Sequence, residues 1–383
     1  MTTIAALIVA AGRGTRFRSV LPKQYAMLAG KPVIRHAVDA FKANSQIDFV
    51  VAVIHPDDHL EYATATDGAE MLPPVYGGAT RQESVKRGLE ALAELKPDFV
   101  LVHDGARPIV SNEINERVIG ALLNGADAVL PVLPIAETLK RIDETGHVTN
   151  TIDRTNVTRA QTPQGFNFQK LFDAHQKYQG QSLTDDAAVL EQAGLRIATV
   201  AGDPQNIKIT EQHDLYATAQ LLMETRIGSG FDVHRFGEGD GVTLGGVLIP
   251  MDKSLLGHSD ADVVLHAATD AILGALSDGD IGVHFPPTNV AYKDASSDRF
   301  LAFAIDRLDQ RGGSLVHLDI TVICEIPKLS PHRDKLQKSI AAIARVPVSR
   351  VSIKATTTEG LGFTGRKEGI ACQVTATLKV PAT

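Results

Sequence analysis

The sequence predicts an α/β protein of two domains, and three observations support this fold class. Short apolar runs rich in Val and Ile alternate with amphipathic stretches in the first half of the chain. The 383 residues exceed what a single core usually organises. A new apolar strand begins at Arg226, after a complete alternating unit has ended. We therefore place a first domain at residues 1–224 and a second at residues 225–383.

The first domain is predicted to contain a mainly parallel sheet. Its predicted strands are the apolar runs Ile4–Val9, Phe49–Ile54, Phe99–Val102 and Ala128–Leu130. The intervening stretches, such as Val33–Phe41 and Arg81–Leu95, have the period of amphipathic helices. Strands that alternate with helices form a sheet covered on both faces, so we expect a Rossmann-like three-layer sandwich. In such a fold, ligands bind at the carboxyl ends of the strands.

The second domain is predicted to be a smaller α/β unit. We expect strands at Ile227–His234, Ser314–Glu325, Val351–Thr356 and Ile370–Val380. Helices are expected near Ser259–Ser277, Ser296–Arg311 and Pro331–Arg345. The run Leu318–Cys324 alternates weakly, which favours burial on both faces, as at a subunit contact. Between the domains, Glu211–Thr225 has a helical pattern without a Gly/Ser-rich tether, so we expect a stiff join.

Composition and charge exclude several classes of partner and location. The net charge is −7, whereas nucleic-acid and membrane surfaces need a basic excess, so we expect neither partner. Two cysteines in apolar runs exclude a disulfide framework and indicate a reducing compartment. No apolar run approaches the roughly 20 residues of a membrane span, and the chain starts on a strand rather than a signal peptide. We expect a cytoplasmic protein.

A glycine-containing loop follows the first strand and is a candidate phosphate site. It has the sequence Ala10-Ala11-Gly12-Arg13-Gly14-Thr15-Arg16, and Lys23 follows seven residues later. Glycines let backbone N–H groups approach phosphate oxygens, and the two basic side chains can neutralise a polyphosphate. The spacing fits neither the dinucleotide fingerprint nor the P-loop, so a simple tight turn is the alternative.

Further polar clusters follow in an order that resembles one enzyme family. They are Gly77-Gly78-Ala-Thr-Arg81-Gln-Glu-Ser84, His103-Asp104-Gly-Ala-Arg107-Pro108, Thr162-Pro163-Gln164, Thr184-Asp185-Asp186 and Asn206-Ile-Lys208. With the glycine loop and Pro22-Lys23-Gln24-Tyr25, the series closely resembles the 2-C-methyl-D-erythritol 4-phosphate cytidylyltransferases over about residues 3–222. Without this resemblance, the alternative for Asp104 and Arg107 is a structural ion pair at a strand end.

The resemblance implies a role for each matching residue. CTP would lie over the glycine loop, with nucleotide contacts from Ala10, Ala11, Gly12, Gly78 and Ser84. The charge on its α-phosphate would be stabilised by Arg16, Lys23 and Lys208. The methylerythritol phosphate would be held by Asp104, Arg107, Thr138, Arg154 and Thr162, some of them from a second subunit. The reaction needs positioning and charge neutralisation, with Mg²⁺ or Mn²⁺, rather than a covalent nucleophile.

The second domain opens with a metal-ligand pattern. Asp232 and His234 are two residues apart on a predicted strand, so both side chains leave the same face. His258 heads a predicted helical stretch and supplies a third ligand, which gives the three N/O ligands of a catalytic zinc site. His266 and Asp270 continue the four-residue spacing of His258 and form a rival stripe; we interpret them as a hydrogen-bonded helix face.

Five motifs in order resemble a second family and favour the first ligand set. They are Phe-Asp-Val-His, His-Ser-Asp-Ala-Asp, Gly-Asp-Ile-Gly, Lys354-Ala-Thr-Thr-Thr-Glu359 and Gly362-Phe-Thr-Gly-Arg366. They match the 2-C-methyl-D-erythritol 2,4-cyclodiphosphate synthases from Arg226 to the end of the chain. That family cyclises 4-diphosphocytidyl-2-C-methyl-D-erythritol 2-phosphate and expels CMP.

This second resemblance also implies cofactors and contacts. Zn²⁺ would bind Asp232, His234 and His258, and Glu359 would hold Mg²⁺ or Mn²⁺. Thr356 and Thr357 would hydrogen-bond the phosphates, with Thr357 and Glu359 as the catalytic residues. The cytosine would contact Cys324, Pro327, Lys328 and Leu329. Asp262 would hold the erythritol hydroxyls, and Phe363 and Arg366 would face a central channel of the oligomer.

The two resemblances together predict a bifunctional enzyme of the non-mevalonate isoprenoid pathway. A two-fold transferase contact and a three-fold cyclase contact on one chain predict a hexamer. One alternative is a single active nucleotidyltransferase fused to a metal-stabilised oligomerisation or isoprenoid-sensing module. Another is a sugar-nucleotide pyrophosphorylase with a structural metal domain.

Overall fold

The structure is a computed structural model that describes residues 2–181, 183–257, 259–286 and 296–382. The chain divides into two compact units, Met1–Leu221 and Leu222–Thr383. Two clusters of buried side chains lie in the first unit and one lies in the second. Among the described residues, no helix combines the length and the hydropathy that crossing a membrane requires.

The first unit alternates strands and helices along most of its length. Its strands are β1 Ile4–Ala10, β2 Met27–Leu28, β3 Lys31–Pro32, β4 Phe49–Ile54, β5 Val75–Tyr76, β6 Phe99–Asp104, β7 Ala128–Pro134, β8 Leu139–Ile142, β9 Val148–Ile152, β10 Thr158–Ala160, β11 Gln164–Asn167 and β12 Ala198–Ala201. Its helices are α1 Val33–Ala43, α2 His59–Ala65, α3 Arg81–Leu92, α4 Asn112–Leu123, α5 Phe168–Lys177, α6 Asp186–Gln192 and α7 Gln212–Leu221.

The main sheet of this unit has the strand order β10-β7-β11-β6-β1-β4-β5, with β12 also paired to β7. Strands β6, β1, β4 and β5 run parallel, whereas β11 runs antiparallel to both of its neighbours. Because β1 and β6 are parallel neighbours, their carboxyl ends meet at one edge. Ala10 and Asp104 end these two strands.

Helices cover both faces of this sheet, as the alternation along β1 shows. Ala6 and Ile8 pack in one buried cluster with α1 and α4. Ala5 and Leu7 pack in the other with α3, α5 and α6. Gly88 lets α3 approach closely, since a Cβ there would lie 2.4 Å from Leu7 Cδ1. The predicted three-layer α/β sandwich with a mainly parallel sheet is confirmed.

The second unit is a smaller α/β structure, as predicted. Its strands are β13 Met223–Gly237, β14 Gly241–Leu244, β15 Val247–Pro250, β16 Ser254–Leu255, β17 Ser314–Ile323, β18 Val351–Thr356 and β19 Gly369–Pro381. Its helices are α8 Val263–Ala275, α9 Ile281–His284, α10 Asp298–Gln310, α11 Arg333–Ile343 and α12 Gly362–Gly365. The sheet order is β16-β13-β19-β17-β18, and β17 pairs parallel with β18.

Two glycines on β13 let α8 lie directly on the sheet. A Cβ on Gly228 would come 2.1 Å from the Ala271 carbonyl oxygen, and one on Gly230 would come 1.9 Å from that of Ala267. These distances are too short for any other residue type without moving the helix. The close contact brings His266, on α8, to the side chains that follow Gly230 on β13.

Two expectations about elements of the second half were wrong in detail. The helix expected over Ser259–Ser277 starts at Val263, because Asp262 caps it by accepting from the N–H groups of Val264 and Leu265. The helix expected over Glu211–Thr225 ends at Leu221, because the following residues enter β13 and pair with β19. Within the single chain, strand β17 alternates buried and half-buried residues, so burial of its second face at a subunit contact stays a prediction.

Candidate functional sites

A cavity of about 420 Å³ opens at the carboxyl ends of β1 and β6. Eight of the residues predicted for the first site line it: Ala10, Ala11, Gly12, Lys23, Gly78, Ser84, Asp104 and Lys208. Ser84 Oγ accepts a hydrogen bond from the Gly78 N–H at 3.1 Å, which ties the start of α3 to this wall. The structure therefore gathers residues from five separate sequence clusters around one space.

The glycine loop is stabilised by hydrogen bonds from side chains to which the sequence analysis gave no role. Gln24 Nε2 donates to the Ala10 carbonyl at 2.8 Å and lies 3.4 Å from Asp58 Oδ2. Asp58 is almost fully buried and accepts from Arg13 Nη1 at 2.8 Å. Burial raises the pKa of Asp58, and Arg13 opposes that shift. Gln24 lies in the Pro-Lys-Gln-Tyr motif, which is the only sequence signal for this support.

Three cations surround Asp104 at the far wall of the cavity. Its carboxylate lies 2.7 Å from Lys208 Nζ, 3.4 Å from Arg81 Nε and 3.6 Å from Arg107 Nε. Burial acts to raise the pKa of Asp104, but these cations outweigh it and hold the pKa well below its usual range. Asp104 is therefore an anion that fixes the cations rather than a proton donor.

Lys23 and Arg16 occupy different positions relative to the cavity. Burial and then the neighbouring Lys208 lower the pKa of Lys23. Gly14 has φ +58°, and a Cβ there would lie 3.3 Å from Lys23 Cδ, so the loop leaves room for the lysine stem. Arg16 lies in the short 3₁₀ turn Thr15–Phe17, is exposed, and does not line the cavity.

A buried histidine connects the residues expected to bind the second substrate. His103 is fully buried, and burial lowers its pKa to about 4, so the ring is neutral near pH 7. Its Nε2–H donates to the Arg107 carbonyl at 2.9 Å, and Nδ1 then accepts from Thr162 Oγ1 at 3.0 Å. The Asp104 N–H donates to the same Thr162 oxygen at 3.1 Å. His103 thus positions Arg107, Thr162 and Asp104, a role that the sequence did not reveal.

A second, smaller cavity of about 240 Å³ adjoins this network. Arg107 and Lys208 line it, and so does Arg159, a basic residue of β10 that the sequence analysis did not select. Lys208 lines both cavities. The Nε atom of Arg107 and the Oδ1 atom of Asn206 are buried there without a hydrogen-bond partner in the described structure. Such atoms are suited to a polar ligand.

Thr138 and Arg154 lie away from both cavities. They flank the hairpin of β8 and β9, and both are exposed. Arg154 Nη1 donates to the Ala136 carbonyl, which closes the base of the hairpin. Neither residue lines a cavity with Asp104 within this chain.

In the second unit, three side chains meet where α8 crosses β13. Asp232 Oδ2 lies 3.0 Å from His266 Nδ1 and 3.1 Å from His234 Nε2, and the two ring nitrogens are 3.1 Å apart. This is the group that the described residues offer for a metal ion, with all three ligand atoms within 4.8 Å of one another. His258, predicted as the third ligand, lies outside the described residues. His266, which the sequence predicts as part of a hydrogen-bonded helix face, is the third member of this group.

In the His234 and His266 rings, the outer nitrogen, which faces away from Asp232, lies next to a hydrogen-bond acceptor. A proton on the outer nitrogen leaves a lone pair on the nitrogen that faces Asp232. His234 Nδ1 lies 3.0 Å from the Leu256 carbonyl, so it must carry the proton. His266 Nε2 lies 2.8 Å from Ser297 Oγ and 3.0 Å from Ser259 Oγ. If both outer nitrogens carry protons, two nitrogen lone pairs and a carboxylate oxygen converge at about 3 Å. These three electron-rich atoms repel one another unless a cation or a proton lies between them.

The pKa shifts of Asp232 and His234 indicate a site that favours positive charge. Burial acts to raise the pKa of Asp232, but the hydrogen bonds from the two histidines hold it well below its usual range. Burial acts to lower the pKa of His234, but Asp232 outweighs it and the pKa is raised. A metal ion would replace the proton that these groups otherwise share. The donor set of two imidazoles and one carboxylate suits zinc.

Asp262 is not placed to hold a substrate, which corrects the sequence expectation. Its side chain is fully buried and accepts from four backbone N–H groups. Two of these belong to Gly245 and Gly246, which turn the β14–β15 hairpin with φ of 56° and 75°. Burial raises the pKa of Asp262 to about 6, against these N–H groups. The residue joins a hairpin turn to the start of α8 and is structural.

The other residues expected in the second site lie around the end of β18. Thr357 Oγ1 donates to Glu359 Oε1 at 2.7 Å, and Glu359 is exposed. Glu325 Oε1, not selected from sequence, accepts from the N–H groups of Thr358 at 3.2 Å and Gly360 at 3.4 Å. The Cys324 N–H donates to the Thr356 carbonyl at 3.0 Å, so the end of β17 adjoins this loop.

A cavity of about 260 Å³ lies next to β18 and contains Leu329 and Ala355 in its wall. Of the predicted cytosine contacts, Leu329 lines it, Lys328 is exposed beside it, and Cys324 Sγ lies 3.7 Å from the Pro327 carbonyl. Burial raises the pKa of Cys324 to about 11, so its thiol is neutral.

The two remaining predicted residues lie in or next to α12, beyond the end of β18. Phe363 is partly exposed, and Arg366 Nε donates to Glu368 at 2.8 Å.

Comparisons with known proteins support both family resemblances. Residues 4–225 match the family model of 2-C-methyl-D-erythritol 4-phosphate cytidylyltransferase, and residues 225–379 match that of the YgbB family. The bifunctional enzyme IspD/IspF of Paramagnetospirillum magneticum is 52% identical over 385 residues, covering 100% of both chains. That of Rhodospirillum rubrum is 50% identical, also covering 100% of both.

A solved structure is similar to the first unit. The crystal structure of a 4-diphosphocytidyl-2C-methyl-D-erythritol synthase is 32% identical with a TM-score of 0.51, and the match covers 58% of this chain and 99% of that one.

Both resemblances inferred from the motifs are therefore confirmed, and the two-activity interpretation is favoured over its alternatives. The protein is an enzyme of the non-mevalonate isoprenoid pathway that uses CTP and methylerythritol phosphates. One activity transfers CMP from CTP to 2-C-methyl-D-erythritol 4-phosphate, and the other cyclises the phosphorylated product and releases CMP. Two family models that together span residues 4–379, and full-length relatives about half identical, show that the chain belongs to the family of bifunctional IspD/IspF enzymes.

Proposed function

We propose that the 420 Å³ cavity binds CTP, with its phosphates over Gly12 and between Lys23 and Lys208. The observation that carries this assignment is the meeting of the glycine loop, both lysines and Asp104 around one space. An oxygen of the acceptor phosphate attacks the α-phosphorus, and the bond to the β-phosphate oxygen breaks. The lysines stabilise the charge that accumulates in the transition state. Arg16 completes this set from the rim of the glycine loop.

The acceptor phosphate is assigned to the second cavity of this unit. Lys208 lines both cavities, so it can contact the nucleotide and the acceptor together. Arg107 and Thr162 are held in place by His103, and the cavity also contains the buried Oδ1 atom of Asn206, which has no hydrogen-bond partner among the described residues. Thr138 and Arg154 are exposed on a hairpin, which supports their use in the site of a second subunit.

Mg²⁺ or Mn²⁺ at the transferase site would be bound mainly by the nucleotide. Among the cavity-lining residues, Asp104 is the single carboxylate, and three cations already neutralise it. This donor set does not fit an ion held by the protein alone. Mg²⁺ is commonly bound through substrate phosphates with few protein ligands, so the ion would enter with CTP.

For the cyclase site, the sequence predicts His258 as the third ligand, but this residue lies outside those that the structure describes. We propose that the metal binds Asp232, His234 and His266, whose ligand atoms lie within 4.8 Å of one another. Bound there, Zn²⁺ supplies Lewis-acid polarisation of a phosphate oxygen. The residues of this chain align the reactants: Thr356 and Thr357 hydrogen-bond the phosphates, and Glu359 presents an exposed carboxylate for Mg²⁺ or Mn²⁺. The substrate's own 2-phosphate is the nucleophile, so no protein base is required. The cavity at Leu329 would take the cytidine, with Lys328 and Pro327 at its edge.

Metal removal tests this assignment. Dialysis of the purified chain against a zinc-selective chelator should abolish the release of CMP from 4-diphosphocytidyl-2-C-methyl-D-erythritol 2-phosphate. Pyrophosphate release from CTP should continue when Mg²⁺ is supplied, because none of the proposed zinc ligands lines the transferase cavity. Adding back Zn²⁺ should restore CMP release. Cyclisation that persists without bound zinc would contradict the assignment.

The proposed assembly is a hexamer with both two-fold and three-fold contacts. On the sheet face of β13 opposite α8, Ile227, Phe231 and Val233 are 67%, 59% and 37% exposed. Alternating apolar residues on an open strand face support a subunit contact. A cytoplasmic location belongs to the same proposal and is supported by two free, buried thiols.

Light scattering of the full chain tests the assembly. Six chains of 41.0 kDa are expected for the wild type. Ile227→Asp should remove the three-fold contact and leave dimers, because a buried carboxylate without a partner is costly. Lys42→Asp, at an exposed position of α1, is the matched control and should keep the hexamer. A wild-type trimer would exclude the two-fold contact, and a cyclising monomer would overturn sites shared between subunits.

A further inference from the structure

Arg13, in the middle of the glycine loop, lines the nucleotide cavity and is ion-paired with an acidic turn, Pro56–Asp58, that follows β4. Its Nη1 donates to Asp58 Oδ1 at 2.8 Å, and its Nη2 lies 2.5 Å from Asp57 Oδ2. Nη2 also lies 2.8 Å from His55 Nδ1. Arg13 and His55 line the cavity, whereas neither carboxylate of the turn does. The guanidinium group therefore lies between the two carboxylates and the cavity.

The acidic turn is connected to the loop over which the phosphates of CTP are proposed to lie. Asp58 is almost fully buried, and its Oδ2 lies 3.4 Å from Gln24 Nε2. The same nitrogen donates to the Ala10 carbonyl at 2.8 Å and lies 3.3 Å from the Gly12 carbonyl. Carboxylates this close to a triphosphate repel it unless a cation neutralises them, because partly buried charges are weakly screened.

The net charge of this group depends on Arg13 alone. His55 Nδ1 accepts from the Asp57 N–H at 3.2 Å, so this nitrogen has a lone pair and the ring is neutral. One guanidinium and two carboxylates then give 1 − 2 = −1 for Arg13, Asp57 and Asp58. Without the arginine, the group would present −2 to the bound nucleotide.

We propose that Arg13 shields the triphosphate of CTP from the carboxylates of Asp57 and Asp58 and so sets the affinity of the transferase for its nucleotide. The inference rests on the proposed binding of CTP in the 420 Å³ cavity. Loss of the shield should raise the KM for CTP and leave kcat nearly unchanged, because the repulsion acts on the bound nucleotide before and during transfer. The KM for the acceptor should not change, because Arg13 does not line the second cavity.

Steady-state kinetics of pyrophosphate release by the full-length chain test the proposal. Arg13→Gln should raise the KM for CTP at least about 10-fold, with kcat within about two-fold of wild type. Adding Asp57→Asn returns the charge of the group to −1 and should bring the KM back to within about three-fold of wild type. A role limited to holding the loop predicts no rescue, because the second substitution only removes another polar partner. Arg18→Gln, exposed in the same loop and outside the cavity wall, is the matched control and should keep the wild-type KM.

The outcomes distinguish failure of the inference from failure of the nucleotide site. If Lys23→Ala loses transferase activity while Arg13→Gln keeps the wild-type KM for CTP, the shielding role is overturned and the cavity assignment stands. A raised KM that Asp57→Asn does not lower also overturns shielding. If Lys23→Ala transfers CMP at the wild-type rate, the cavity is not the nucleotide site and the inference fails with it.

A second variant covers the case in which thermal unfolding shows that Arg13→Gln does not fold. Asp57 is 73% exposed, so Asp57→Asn should fold as the wild type does. With Arg13 intact, this substitution brings the charge of the group to zero and should lower the KM for CTP about three-fold. An unchanged or raised KM in Asp57→Asn would contradict the proposal.

Discussion

Lys23→Ala is expected to lower the turnover of cytidylyl transfer by about 10²- to 10³-fold, while cyclisation stays within about two-fold of wild type. Lys23 lines the nucleotide cavity with Lys208, and the pair supplies preorganised positive charge at the phosphates. Removing one such group typically costs about 2.7–4 kcal/mol of transition-state stabilisation. The rate of pyrophosphate release from CTP measures the first activity, and the rate of CMP release measures the second.

A second lysine substitution tests whether the position of the lost charge, rather than the change in net charge, lowers the activity. Lys42 is exposed on α1, and Lys42→Ala changes the net charge equally, so both activities should be unchanged. Thermal unfolding should show Lys23→Ala folded, because its stem lies against Gly14 rather than in the core. Equal loss of both activities in Lys23→Ala would refute the assignment of this residue to the transferase alone.

The fold was predictable where one physical signal dominated the sequence. Parallel strands buried on both faces appear as short Val/Ile runs, so Phe49–Ile54 was predicted with the bounds that the structure shows. The bounds of Val351–Thr356 were also predicted correctly, although the last three residues of this strand are exposed. Short pairings such as β10 and β11 were missed, because strands of three or four residues give almost no periodicity. The start of α8 was misplaced because Asp262 caps it from a non-helical position, and the spacing of polar residues suggested helix earlier.

The sites were predictable to the extent that their residues lie in local motifs. Lys23, Asp104 and Lys208 stand in recognisable clusters, and the sheet brings them together. The supporting roles of His103 and Asp58 could not be predicted from the sequence. Both residues depend on burial and on hydrogen-bond partners more than 30 residues away. Asp262 was assigned to the substrate because it lies in a motif, yet its oxygens are committed to backbone N–H groups.

The contact of His266 with Asp232 and His234 depends on geometry that sequence spacing cannot give. The spacing of His258 and His266 along the chain is the same whether or not either ring reaches β13. The absence of Cβ atoms at Gly228 and Gly230 lets α8 approach β13 until the His266 ring contacts both side chains. A predicted helix over Ser259–Ser277 contains no information about this contact.

His266→Ala is therefore expected to lose the bound zinc and to reduce cyclisation at least about 10³-fold, while cytidylyl transfer remains normal. The reason is that two remaining ligands, Asp232 and His234, are too few for a site that keeps an open position for substrate. His258→Ala is the matched comparison and should retain one zinc per chain, which elemental analysis of the purified proteins measures. If His266→Ala keeps its full zinc and His258→Ala loses it, the third ligand is His258, and the contact of His266 with Asp232 is only a hydrogen bond of the helix face.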